Sequence, residues 1–385
     1  MTDIRRAGDA PAVGREDALL LEKVRRRTLE GKLPERDDIL TMLSWGADSP
    51  QAALLGKTAR HMARTLAGNR GKVWAAIGVD CVPCPMDCAF CAFGQSRGIV
   101  RRARRWSGEE VVRAAGAFAA AGASWVVLRT TEGYGLEALC GLAARVRRVL
   151  PSSCCLVANT RQLDSDGAAS LRRAGVGLLY HALRLGEGRD TPFDPRARRQ
   201  SLYKIHAEGL GPAHLVEPVG SEHTDEEIAG VLLAGLEAGT KVCGVMARVP
   251  VPGSPLASFP PVSGERLAQL VAVTRLCCGQ GTPDICVHPP VAQAVDWGAN
   301  VLVVETGAIP RDGEGTARGP WQGFSVAEAS RLLASRGYLT KAAGARPVVP
   351  PDDTCLPDGP SCSALRAGHK KTASRLGTPS GHAEK

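Results

Sequence analysis

The stretch Lys72-Val-Trp-Ala-Ala-Ile-Gly-Val79, followed at once by Asp80-Cys81-Val-Pro-Cys84, sets the terms on which the rest of the chain is read. It is a short apolar run that ends in a Pro-interrupted loop, the form of a buried strand feeding a functional turn. Seven further runs of this kind follow, at Ser124–Arg129, Cys154–Ala158, Gly177–Ala182, Ala213–Val219, Lys241–Val249, Asp284–His288 and Asn300–Val304. Amphipathic segments alternate with them, at Glu109–Ala121, Leu136–Leu150, Asp164–Ala174, Arg198–Gly209, Asp225–Ala238, Gly264–Cys278 and Val291–Trp297. Strands alternating with helices predict an α/β fold, a parallel (β/α)8 barrel of the TIM type, with an open doubly wound sheet as the alternative because strand count alone does not close a sheet. Ser107 with Glu110, Thr224 with Glu227 and Ser325 with Glu328 fit the capping box at helix starts. Gly122, Gly175, Gly209 and Gly239 stand where helices should stop.

Outward from this core, residues 1–70 read as a basic helical extension with helices expected at Leu19–Leu29 and Asp37–Leu43, residues 71–340 as the barrel, and 341–385 as a flexible tail rich in Pro, Gly, Ser and Lys. The 385 residues are 44% hydrophobic and 23% charged, which excludes a chain disordered throughout, and aromatics make up only 4%, so the core must rest on Ala, Val and Leu. Met1–Arg15 is polar, and no run reaches the roughly 18 to 20 apolar residues of a membrane span. A cytoplasmic protein with reduced thiols is the expectation for its 13 cysteines. The net charge of +9 gathers partly in Arg101, Arg102, Arg104 and Arg105, where Trp106 is the one stacking residue at hand, so the run reads as solvated surface rather than a nucleic-acid site.

The loop after the first strand carries Cys81-Val-Pro-Cys84-Pro-Met-Asp-Cys88-Ala-Phe-Cys91. Four thiols this close together on a loop are not packing residues, and thiolates at such density select zinc or an iron–sulfur cluster. A structural zinc site takes a longer gap between its Cys pairs. The spacing C-x3-C-x2-C of Cys84, Cys88 and Cys91, with Phe90 before the last, resembles instead the motif of the radical S-adenosylmethionine (SAM) superfamily, and it sits where that family places it, after barrel strand one. The resemblance implies a [4Fe–4S] cluster held by three Cys, with SAM on the open iron and reductive cleavage giving a 5′-deoxyadenosyl radical that abstracts hydrogen from a small-molecule substrate. Cys81 reads as a loop thiol outside the cluster, with an alternative ligand as the other reading.

Over roughly Gly71–Gly307 the chain is similar to the biotin synthase-like group, which includes biotin synthase, the radical maturase of [FeFe]-hydrogenase and 3-methylornithine synthase. Pro252-Gly253-Ser254-Pro255-Leu256 resembles its G-[ST]-P-L turn and Gly298-Ala299-Asn300 its G-A-N. The resemblance places SAM beside Arg184, Glu187 and Arg198, with Glu132 toward its amino group, Glu222 in the turn near its adenine, and Phe90 in the cluster loop. Arg198 as a surface helix residue and Glu222 as a helix-start acid are the plain alternatives. Val127, Val157, Ala213 and Cys286 fall where biotin synthase binds a second cluster, so sulfur insertion is a rival rather than the reading, as is a non-catalytic iron–sulfur carrier. Asn159, His181, His214, Glu217, His288 and Glu305, at strand ends, describe an interior suited to a small polar substrate bearing a carboxylate or an amine. Biosynthesis of a cofactor or unusual amino acid, with a flavodoxin- or ferredoxin-like electron donor, is the implied setting.

Overall fold

The computed structural model describes residues 13–308 and 324–341. The expected tail beyond residue 341, with Cys355 and Cys362, lies outside the described residues. Three helices come first, α1 (Arg15–Leu29), α2 (Arg36–Ser44) and α3 (Pro50–Leu66). The third is one the sequence reading passes over, although Ser49 accepts from the Ala52 N–H at 3.1 Å and Pro50 opens the helix, a standard start signal.

The barrel follows as β1 (Lys72–Gly78), β4 (Trp125–Arg129), β5 (Cys155–Asn159), β6 (Leu178–Tyr180), β7 (Gly211–Ala213) with β8 (Val216–Val219), β9 (Val242–Ala247), β10 (Asp284–His288) and β11 (Val301–Gly307). A small antiparallel ribbon, β2 (Asp80–Cys81) with β3 (Arg104–Arg105), stands outside it. All barrel pairings are parallel, and because β10 bonds to both β9 and β11 while β11 bonds to β1, the sheet closes. The fifth strand, expected as one run over Ala213–Val219, is broken between β7 and β8, and its pairing with β9 shifts register there. Helices α4 (Gly108–Ala120), α5 (Leu136–Val149), α6 (Ser165–Arg173), α7 (Pro195–Ala207), α8 (Asp225–Glu237), α9 (Gly264–Cys277), α10 (Ala292–Asp296) and α11 (Val326–Ser335) form the outer ring. The three capping boxes are present, and Gly122, Gly175, Gly209 and Gly239 all take positive φ at helix ends. Gln269, fully buried, donates to the carbonyls of Met42 (3.0 Å) and Trp45 (2.8 Å), closing the open end of α2 against α9.

Strand alternation divides the side chains into an inner and an outer set. Trp74, Trp125, Val127, Val157, Ala213, Leu215 and Cys286 are among those that fill the barrel. Trp74 packs on Trp125 with ring centroids 5.7 Å apart and meets Tyr180 edge-on at 5.9 Å. The lower end is sealed by polar side chains that complete one another. Arg275, wholly buried, donates to the carbonyls of Gly298 (2.9 Å) and Pro283 (2.7 Å) and to Asn300 Oδ1 (2.7 Å). Asn300 accepts from the Ile285 N–H and donates to Asp284 Oδ1, both at 2.8 Å, and Lys72 pairs with Asp284 at 2.8 Å. Gly298 has φ +112°, and a β-carbon there would lie 3.1 Å from the Ala59 carbonyl oxygen and 2.9 Å from Arg275. The G-A-N sequence is therefore part of the barrel's base, far from the loop cysteines in role.

Candidate active site

At the opposite, carboxyl-terminal end of the strands lies a cavity of about 250 Å³, where a TIM-type barrel carries its chemistry. Its body is apolar, with Trp74, Ala76, Val127, Leu215, Met246 and Val303, and its rim holds Arg129, Asn159, Tyr180, Glu217, His288 and Glu305. Four of the expected strand-end residues, Asn159, Glu217, His288 and Glu305, thus face the cavity. His181 and His214 do not line it, a correction to the sequence reading that follows from parity. His181 comes directly after inward-facing Tyr180, and His214 directly after inward-facing Ala213. His214 instead packs against Gly235 of α8 on the outer face. Burial and the charges of Arg198 and Arg184 hold His181 well below the ordinary imidazole range.

The loop from Cys84 to Arg97 covers the mouth. It folds back on itself, with the Cys84 N–H on the Phe93 carbonyl (2.7 Å) and the Gln95 N–H on the Cys84 carbonyl (3.0 Å). Asp87, at φ +48°, accepts from the N–H (2.9 Å) and hydroxyl (3.0 Å) of Ser96. Arg97 reaches back into the loop, donating to the carbonyls of Cys88 (2.8 Å) and Asp87. The loop is therefore shaped by its own residues. Two further bonds dock it, from the Ala89 N–H to the Asp190 carbonyl (2.7 Å) and from the Leu256 N–H to the Ala89 carbonyl (3.2 Å). Leu256 belongs to the G-S-P-L turn, which gives that motif its structural place.

Cys88 feels the charge of Cys91 and Cys84, Cys91 feels that of Cys84, and Cys91, Phe90 and Phe93 line the cavity. Burial pushes the Cys88 thiol up to about 12, against the pull of Arg184, and burial likewise raises Cys91, whose sulfur takes the Phe93 N–H at 3.4 Å. Among the described residues no three His, Cys, Asp or Glu side chains converge on a single metal ion. Three free thiols on one short loop are the donor type of an iron–sulfur cluster, in which each iron takes one thiolate. Cys81 is buried on the ribbon and paired with Arg104, with its thiol raised chiefly by burial, so it stands apart from this trio.

Behind the loop, Glu187 organises the segment after β6. Its carboxylate accepts from the Arg184 N–H (2.9 Å) and the Thr191 hydroxyl (2.6 Å) and lies 3.5 Å from Arg198 Nε. Arg198 is 3% exposed, stacked on Phe193 at 4.5 Å, and its Nε–H has no hydrogen-bond partner. Burial and the neighbouring Arg184 lower it to about 10. Far from being a surface helix residue, it is a buried cation with donors to offer. Arg184 lines the cavity and sits 3.7 Å from Glu217, which also accepts from the Tyr180 hydroxyl.

Two expected residues are placed differently. Glu132 does not face the cavity; it accepts from the Gln162 N–H (3.2 Å) beside a separate open groove, although its charge reaches Arg198. The Glu222 carboxylate is engaged by Arg248 at 2.7 Å. Sequence reading missed Arg129 and Arg248, both at strand ends on the cavity wall, because an Arg at the end of a strand looks like ordinary surface.

No family model matches the chain. Biotin synthase from Streptomyces avermitilis is 27% identical over 289 residues, 70% of each protein, and that from Nocardioides sp. is 29% identical over 268 residues, 66% of this chain and 69% of the relative. Among solved structures, methylornithine synthase superposes with a TM-score of 0.68 at 19% identity over 83% of this chain and 98% of its own, and a maturase of the [FeFe]-hydrogenase with 0.70 at 17% identity over 85% and 76%. The structures speak for the fold, and the sequence relatives together with the cysteine loop speak for the family. In sequence the chain is similar to biotin synthases, and in fold to methylornithine synthase and the maturase of the [FeFe]-hydrogenase.

Proposed function

We propose that Cys84, Cys88 and Cys91 hold a [4Fe–4S] cluster, that SAM binds between this cluster and the Arg184, Glu187 and Arg198 segment, and that the substrate is a small molecule seated in the barrel cavity. The observation that supports this most is the position of the three thiols, on a self-bracing loop over the cavity with a half-compensated arginine pair behind them. Loaded with SAM, the cluster would supply a 5′-deoxyadenosyl radical for hydrogen abstraction. The chain's own part is to position and to exclude. Arg97 fixes the loop, the Phe93 N–H supports the sulfur of Cys91, Arg198 offers a donor for the carboxylate of SAM, and Phe90 with Phe93 keeps the mouth apolar. Glu187 is a positioning residue that holds both arginines. Phe90 fits the reading as a wall residue, whereas Glu132 and Glu222 enter it only as groups beside the site.

The sulfur-insertion alternative has little to stand on. Val127, Val157, Ala213 and Cys286 all lie inside the barrel, and three of them carry no atom that binds a metal. No helix among the described residues is long and apolar enough to cross a membrane. We place the enzyme in the cytoplasm with a flavodoxin- or ferredoxin-like donor, in cofactor or unusual amino acid biosynthesis.

The test is anaerobic reconstitution with iron and sulfide, reduction by dithionite in the presence of SAM, and chromatographic detection of 5′-deoxyadenosine. Formation in the wild type and its absence in a Cys84/Cys88/Cys91 triple Ala variant is the expected result. A full cluster with SAM left intact would favour an iron–sulfur carrier, and zinc in place of iron would overturn both.

A further inference from the structure

The polar groups on the cavity wall are nearly all engaged. Glu217 faces the Tyr180 hydroxyl and Arg184, Asn159 donates to the Tyr180 carbonyl at 3.0 Å, and Arg248 is held by Glu222 and two carbonyls. His288 and Glu305 each have a partner as well. Arg129 differs. Among the described residues its guanidinium makes no hydrogen bond and no ion pair, one of its terminal nitrogens is buried without a partner, and its nearest neighbour of note is the Phe93 ring, 5.9 Å away. It stands at the end of β4 and lines the cavity together with Phe93 of the thiol loop.

Arg129 is only partly buried, but a guanidinium nitrogen that is buried and unpaired is costly, and a protein retains one where an anion will arrive. We infer that Arg129 is the anchor for the carboxylate of an organic acid, the substrate of the cavity, an assignment that rests on reading this cavity as the substrate site. The acidic groups that would have to receive an amine are engaged, whereas the group that receives a carboxylate is open. The two-nitrogen edge of a guanidinium matches a carboxylate. With Arg184 and Arg248 already paired to Glu217 and Glu222, one open arginine also fits one negative charge better than the two of a phosphate monoester. Held at Arg129, the acid would lay its carbon body along Ala76, Val127 and Val303, beneath the cluster loop.

The probes are three molecules of one chain length, hexanoate, hexylammonium and hexan-1-ol, with hexyl phosphate as a fourth. Their binding to the cluster-loaded full chain with SAM is measured anaerobically by calorimetry. Hexanoate should bind about tenfold to a hundredfold more tightly than hexanol, the worth of a charge-assisted contact. Arg129→Leu should remove that preference, and Arg129→Lys should keep part of it, with iron content and SAM affinity as in the wild type. The head-group ranking in the unaltered protein stands independently of whether a variant folds. Equal or weaker binding of hexanoate, tighter binding of hexylammonium or hexyl phosphate, or a hexanoate preference that survives Arg129→Leu would overturn the assignment. So would loss of SAM or iron in Arg129→Leu, which would give the arginine to the cofactors. Failure of the wild type to bind SAM at all is a different result, since it defeats the proposed function rather than this residue's role.

Discussion

The two ends of the barrel are built from the same residue types to opposite ends. At the base, Arg275, Asn300, Asp284 and Lys72 form a network in which all three guanidinium nitrogens of Arg275 and both amide atoms of Asn300 have partners within 3.1 Å. At the mouth, Arg129 has an unpartnered nitrogen, Arg198 Nε makes no hydrogen bond and only a long 3.5 Å ion pair to Glu187, and Cys84, Cys88 and Cys91 are free thiols. Buried polar groups that are fully satisfied hold a structure together, while those left short hold a place for something else. Sequence resemblance cannot tell the ends apart, since Gly298-Ala299-Asn300 and Cys84-x3-Cys88-x2-Cys91 both resemble motifs of the biotin synthase-like group. The hydrogen bonds can.

The comparison breaks most visibly at the base. Asn300→Leu keeps the branched outline of the side chain but strips partners from Arg275, the Ile285 N–H and Asp284 at once. Arg275 keeps its two carbonyls and Asp284 keeps Lys72, but each of three buried groups loses a hydrogen bond at about 1–3 kcal/mol, so the change costs about 3–5 kcal/mol in all. For a domain of this size that lowers the thermal midpoint by roughly 10 °C. Thermal unfolding of the iron-free chain measures it, and a midpoint within a degree or two of wild type would show that the base is not the structural end.

The mouth should respond in the opposite way. Arg198→Leu removes a buried charge whose one ion pair is long, and Glu187 keeps its bonds from the Arg184 N–H and the Thr191 hydroxyl. Stability should stay within about 1 kcal/mol of wild type. SAM affinity should fall by about tenfold or more, the worth of one charge-assisted bond, while the iron content holds. Equilibrium dialysis of SAM beside urea unfolding separates the two effects. A large loss of stability with SAM binding intact would move Arg198 from the site to the scaffold.

Much of this contrast is legible in the chain before folding. Strand and helix alternation points to a parallel α/β fold because buried parallel strands must be apolar on both faces, while closure into a barrel comes only from the strand pairing, and the cysteine spacing marks the mouth because soft-metal ligation demands it. What the sequence hides is parity at the strand ends. His181 and Tyr180 are neighbours in the chain, yet one lines the cavity and the other is buried outside it, and a one-residue uncertainty in register inverts the assignment. The break between β7 and β8 is hidden for a related reason. The apolar character runs on through His214 and Leu215, so nothing in the pattern announces that the ladder shifts there. Arg129 is hidden because its meaning lies in the partners it lacks, which only the packed structure reveals.

The smallest effect sharpens the contrast by pH. Burial raises the Cys88 thiol to about 12, whereas in an unfolded chain it would titrate near its ordinary value of 9. A raised folded value means that the fold favours the neutral thiol. The contribution is present in full below the unfolded value and is lost as pH climbs from there toward 12. For the iron-free chain, the unfolding free energy should therefore drop between pH 8 and pH 10. Cys88→Ala should escape about 1 kcal/mol of that drop, after allowance for the thiol's partial exposure. The same titration has a second reading in iron uptake. Each thiol must shed its proton to bind iron, so a raised thiol weakens iron uptake at neutral pH, and that penalty eases as pH rises. Urea unfolding at the two pH values, on wild type and Cys88→Ala side by side, checks the first reading. Parallel losses in both proteins would mean that the mouth thiols are not the strained, waiting groups that set this end of the barrel apart from its base.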